Sequence, residues 1–286
     1  MTKVEYEKLQ KEYSDLEARY IEERYRIIDS KREELRNLDE QYAIDKLAIK
    51  TPLKAEKYRR KLEKKREHRR LNEAPKRKLL EEIGNAVSHG VGALVAVACL
   101  VLMILKANSP LSLTAALVFG ICFILQMTFS CLYHSFRGGS TVKRIFRRFD
   151  YSSIYLEIGG TFAPLYLIYM VDHMWGLTWG IVFFAIQWAL IITGITFVGV
   201  FGPGRFRWLH FTLYFAIGWS GVIFIPYWIQ NNLPLFIWII SGGVTYTLGM
   251  IPFAALKNKP VSHFIWHLVV LAASILMRTG IYLYVF

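Results

Sequence analysis

The stretch "SHFIWHLVVLAASILMRTGIYLY", Ser262–Tyr284, decides the fold. It carries one formal charge, Arg278, and two imidazoles, His263 and His267, near its start. An apolar run of about 18 residues or more is long enough to cross the hydrocarbon core of a bilayer as a helix. Six more such runs precede it, near Ile83–Leu105, Leu111–His134, Tyr151–Val171, Leu177–Val200, Trp208–Ile229 and Leu235–Leu256, separated by charged or Pro/Gly breaks. Seven of them exclude a soluble domain. The expected fold is an all-α membrane protein, a seven-helix transmembrane bundle.

Charge divides the chain further. Of 286 residues, 54% are hydrophobic and 20% charged, and 24 of the 35 Lys and Arg lie in the first 80 positions. Residues 1–80 therefore read as a charged helical arm and residues 81–286 as the membrane domain. The short loops alternate. "SFRGGSTVKRIFRR", "FGPGRFR" and "KNKP" hold five, two and two basic residues, whereas "KANSP", "DHMWG" and "QNNLP" hold one, none and none. Basic loops stay on the cytoplasmic side during insertion, which predicts a cell-membrane protein with its N-terminus inside and its C-terminal "YLYVF" outside. Cys99, Cys122 and Cys131 all fall inside predicted spans, so no disulfide framework is expected.

In the arm, Leu9, Tyr13, Leu16 and Tyr20, then Ile28, Leu35, Leu38, Tyr42 and Ile49, recur at heptad-like steps. This spacing predicts an amphipathic helix, either a short coiled coil or a helical hairpin broken at "TPL". A homo-oligomerisation arm and a solvated helix both fit, because charged residues interrupt the stripe. The basic tract Lys54–Lys78 runs directly into the first span. Anionic lipid headgroups attract such a segment by roughly 1 kcal/mol per basic residue near the surface. Membrane lipid is thus the expected partner and nucleic acid is not.

Four imidazoles converge at one predicted depth. His89 enters the first span, His134 leaves the second, and His263 with His267 enter the seventh, all at the same side. Positions i and i+4 share a helix face, so His263 and His267 can point at a common atom. A third ligand from another helix, for which His134 is the candidate, completes the three-protein-ligand set of catalytic zinc with one place left open. Spacing leaves His89 as a fourth ligand or a supporting donor. Ser130 shares the face of His134. Asp150, read as the first residue of the third span, could assist catalysis or cap its helix, and Glu157 lies two turns deeper on the same face.

Together "EEIGNAVSHGVGA" (residues 81–93), "SCLYHS" (130–135), "DYSSIYLEIGGTFAP" (150–164) and "HFIWHLVVLAAS" (263–274) resemble the hemolysin III proteins, the bacterial branch of the progestin and adipoQ receptor (PAQR) family, over about residues 80 to 286. The resemblance implies that His134, His263 and His267 bind Zn2+, with Ser130 and His134 forming the Ser-x-x-x-His motif. It implies that Asp150 holds the zinc-bound water and that Glu82, Asn85 and His89 face the same site. Relatives in the wider family include alkaline ceramidases, so a lipid amide or ester is the implied substrate class. Tyr151 stands where bacterial members commonly have His, Glu157 where an apolar residue is usual, and the arm is longer than theirs.

Three functions compete on these residues. The first is a zinc-dependent hydrolase of lipid amides or esters at the inner leaflet, with Asp150 and Ser130 as its catalytic groups and Arg144, Arg147 and Arg148 as a basic rim. The second is a pore-forming, cytolytic protein, which needs a polar stripe along several spans and finds only scattered Ser and Thr. The third is a regulator of membrane lipid state in which zinc only staples the second helix to the seventh. Arg278 is expected to be structural, reaching outward past Tyr282 or bonding a carbonyl of a neighbouring helix.

Overall fold

The computed structural model describes the backbone of residues 3–75, 77–255 and 261–286. Lys76, the "KNKP" loop and the side chains of Leu9, Tyr13, Leu16 and Ile49 lie outside the described residues. Two compact units divide between Leu71 and Asn72.

The first unit is a helical hairpin, α1 (Lys3–Lys50) and α2 (Pro52–Leu71). Pro52 opens α2, where its missing N–H costs nothing, so the break at "TPL" is where the sequence puts it. Ile44, Ala55 and Leu62 are buried. Glu40 on α1 accepts hydrogen bonds from Arg66 Nε and Arg69 Nη2 on α2, each at 2.8 Å. Burial alone would raise the pKa of Glu40, but the Arg69 and Arg66 bonds outweigh it and hold the carboxyl below its usual value. Tyr20, Leu35, Leu38 and Tyr42 of the heptad-like stripe are 63–66% exposed, so the hairpin does not consume that face.

The second unit is all-helical among its described residues and holds seven helices long and apolar enough to cross a membrane: Leu79–Lys106, Pro110–Ser135, Thr141–His173, Gly176–Phe201, Arg207–Asn231, Leu233–Ile251 and Ser262–Tyr284. Their helical elements are α3 (Leu79–Lys106), α4 (Pro110–Ser135), α5 (Thr141–Pro164) continued by a π-helical turn (Leu165–Tyr169) and α6 (Met170–His173), then α7 (Gly176–Phe201). The fifth span combines α8 (Arg207–Gly218), a 3-10 segment (Trp219–Phe224) and α9 (Ile225–Asn231); α10 (Leu233–Ala255) and α11 (Ser262–Tyr284) follow. The wide turn begins straight after Pro164, whose ring and absent N–H disturb the regular ladder.

The third span is the hub, 72% buried against 17–50% for the others. It also starts earlier than the sequence suggested. Ser140 caps α5 by accepting from Lys143 N, so the helix begins ten residues before Tyr151 and carries four basic residues of the predicted loop on its first turns. Asp150 lies inside the helix, which removes the capping role considered for it.

α3, α4, α5 and α11 bring His89, His134, Asp150, His263 and His267 to one end of the bundle. Asn72 ties the incoming chain there, donating to Phe201 O at 3.0 Å and accepting from Gly204 N at 3.2 Å. Gly202 permits this with φ 77°; a Cβ there would lie 2.0 Å from Asn72 Oδ1. At the opposite end, Phe119, Phe162, Leu165, Tyr166, Trp228 and Ile281 form the largest apolar cluster.

Candidate metal centre

α11 places His263 and His267 one turn apart, and the C-terminal turn of α4 brings His134 to meet them. One ligand atom from each of His134, His263 and His267 lies within 4.8 Å of the other two, a group that can hold a metal ion. His263 Nε2 is 3.4 Å from His134 Nε2 and 3.2 Å from His267 Nε2. Three like nitrogens facing one another at such distances repel when each presents a lone pair, and a shared cation removes that repulsion.

Glu82, at the start of α3, decides which nitrogen His134 offers. Its Oε2 accepts from His134 Nδ1 at 2.5 Å, leaving Nε2 with a lone pair toward the two other rings. Glu82 Oε1 lies 2.9 Å from Lys143 Nζ, so the carboxylate is pinned from both sides. Asn85 Nδ2 lies 3.4 Å from the same His134 Nδ1. His89 lies against His267 with ring centroids 3.9 Å apart and the rings tilted by 40°, and turns its Nε2 to the backbone carbonyl of His267 at 3.3 Å. It packs behind the group of three.

Ser130 is buried one turn before His134, on the face of α4 near Asp150. Ser130 and Asp150 line a cavity of about 220 Å³ that also touches His89, His263 and His267 and continues between apolar side chains such as Phe162, Leu165, Trp228 and Phe236. The expected basic rim is committed elsewhere: Arg147 Nη1 donates to Glu73 O at 2.9 Å, Arg148 Nη1 to Gly199 O at 2.9 Å and Arg144 Nη2 to Thr141 Oγ1 at 3.0 Å.

Two features were not read from the sequence. Lys143 looked like one more topogenic charge, yet it is 1% exposed and holds Glu82. Arg278 neither reaches outward nor bonds a neighbouring helix's carbonyl; it is 3% exposed and forms a two-pronged bond to Glu157, 2.7 Å to Oε1 and 2.9 Å to Oε2. An acidic and a basic residue in otherwise apolar spans were the available signal. His210 Nδ1 on α8 lies 2.9 Å from Tyr155 Oη on α5, joining those two helices.

Residues 77–278 match the family model described as Haemolysin-III related. The chain is 34% identical to Hemolysin-3 of Bacillus cereus over 209 residues, covering 72% of this chain and 92% of that one. It is 33% identical over 201 residues to a Hemolysin-3 homolog of Bacillus subtilis, covering 69% of this chain and 91% of that one. All four motif segments around the centre fall inside the matched region and the helical hairpin outside it. With seven apolar helices and this match, the chain is a multi-pass membrane protein that belongs to the haemolysin III family.

Proposed function

We propose that the protein is a zinc-dependent hydrolase of a lipid amide or ester, its centre at the inner leaflet. The observation that carries this reading is the convergence of three imidazole Nε2 atoms at an apolar cavity that His263, His267 and the Asp150 carboxylate line together. The donor set suits zinc. Bonds of about 2.0–2.1 Å in tetrahedral geometry set neighbouring nitrogens about 3.3 Å apart, and two of the separations here are 3.4 and 3.2 Å. Three protein ligands with one position open is the catalytic rather than the structural pattern.

When bound, the metal supplies Lewis acidity toward a carbonyl oxygen. The remaining work belongs to the chain. Glu82 and Lys143 hold His134 in the tautomer that presents Nε2. Asp150 takes a proton from the attacking water, with Ser130 lining the same cavity. The apolar walls hold an acyl chain and exclude bulk water from the scissile bond.

The experiment joins metal analysis to lipid turnover. Protein purified in detergent is expected to carry about one zinc per chain, and His134→Ala, His263→Ala or His267→Ala each to remove most of it together with hydrolysis of a ceramide-like amide or a fatty ester. Full zinc in His267→Ala ends the metal assignment. Zinc without turnover on either substrate class ends the enzyme reading.

A further inference from the structure

A second polar station lies along the cavity, away from the histidines. Gly160 on α5 marks where that helix touches α4, since a Cβ there would lie 2.6 Å from Cys122 Cβ. The two helices run antiparallel. Gln126, one turn past Cys122, and Glu157, just under a turn before Gly160, are therefore level with each other on the histidine side of that contact. Counted along the helices, this level is about 10–12 Å from His134 and Asp150.

Glu157 is held there asymmetrically. Its Oε1 accepts from Arg278 Nη1 at 2.7 Å, Ser274 Oγ at 3.0 Å and Tyr246 Oη at 3.3 Å. Its Oε2 accepts from Arg278 Nη2 at 2.9 Å and has no second donor among the described residues. The Gln126 side-chain carbonyl oxygen has no partner among them either, although Gln126 is 5% exposed. A pair that only tied two helices together would be sealed on every side. Glu157, Tyr246 and Gln126 instead border the cavity.

The chemistry of this station selects its ligand. A cationic group meets Arg278, an anionic one meets Glu157, and both are disfavoured in an apolar setting. A hydroxyl carries neither penalty. It can donate to Glu157 Oε2 and accept from the Gln126 amide, whose two ends exchange by a simple flip. We infer that Gln126 and Glu157 form a recognition point for a neutral hydroxyl carried near the middle of a lipid chain whose polar end sits at the metal centre. This selectivity rests on the lipid reading above and adds a substrate class to it, lipids hydroxylated in mid-chain.

The test compares affinities of purified, zinc-loaded protein for three fatty acids: plain octadecanoate, octadecanoate hydroxylated at mid-chain, and octadecanoate hydroxylated next to the carboxylate. The mid-chain form is expected to bind about tenfold tighter than the other two, as one well-made bond to a charged group allows. In Gln126→Leu, which leaves the Glu157–Arg278 pair in place, that ratio should fall severalfold, to what the bond to Glu157 alone supplies. Equal binding of all three by the wild type, or a preference undiminished in Gln126→Leu, overturns the recognition point while leaving the lipid reading standing. Binding of none of the three overturns both. If Gln126→Leu does not fold, the wild-type ratios alone decide.

Discussion

Glu82 occupies Nδ1 of His134, and that one bond leaves Nε2 as the nitrogen this histidine can offer a metal. Asp150 borders the same cavity as Ser130. Because Asp150 lies within α5 and not at its cap, replacing it by Asn removes a base without unsettling a helix start. Asp150→Asn is expected to keep its zinc and to lower lipid hydrolysis by roughly 10² to 10⁴, the usual worth of a positioned base. Turnover and metal content measured on the same preparation check this, and undiminished turnover in the metal-loaded variant would remove Asp150 from the chemistry. At this scale the sequence was legible wherever a short spacing carried the meaning, as in His263 and His267. It was silent on Lys143, whose importance depends on Glu82, a residue on another helix.

Between elements, the Glu157–Arg278 bond joins α5 to α11 across 121 positions of sequence. The guanidinium also lies over the rings of Phe123, at 3.5 Å, and Phe119, at 4.5 Å, so α4 closes the third side. Removing one member leaves the other charged and unpaired in an apolar interior, which costs about 3–5 kcal/mol, whereas replacing both by apolar groups is often neutral. Thermal unfolding in detergent should therefore show a large loss for Glu157→Leu and recovery of most of it in Glu157→Leu/Arg278→Leu. A double variant as unstable as the single one would mean that packing, not charge, sets the loss. Hydropathy revealed that α5 and α11 exist. It could not reveal this pairing, since helix rotation is set by neighbours and α5 began ten residues earlier than apolarity suggested.

For the whole molecule, the remaining question of orientation follows from charge. Basic residues gather at the end of the bundle that holds the histidines, and the positive-inside tendency predicts that this end faces the cytoplasm. Single cysteines placed in "SFRGGSTVK", in a background lacking Cys99, Cys122 and Cys131, should resist a membrane-impermeant thiol reagent in intact cells and react after permeabilisation. Labelling from outside would invert the bundle and move the centre to the other leaflet. The sequence by itself determined the number of spans, the arm, the break at "TPL" and the three imidazoles, because apolar run length, charge density and i, i+4 spacing are local quantities written in consecutive residues. Only the tertiary structure decided that Asp150 is no cap, that Lys143 holds Glu82, that the arginines of the rim are already bonded and that Glu157 meets Arg278. Each of those outcomes depends on which faces of separate helices turn toward one another, and that is fixed when all seven pack together.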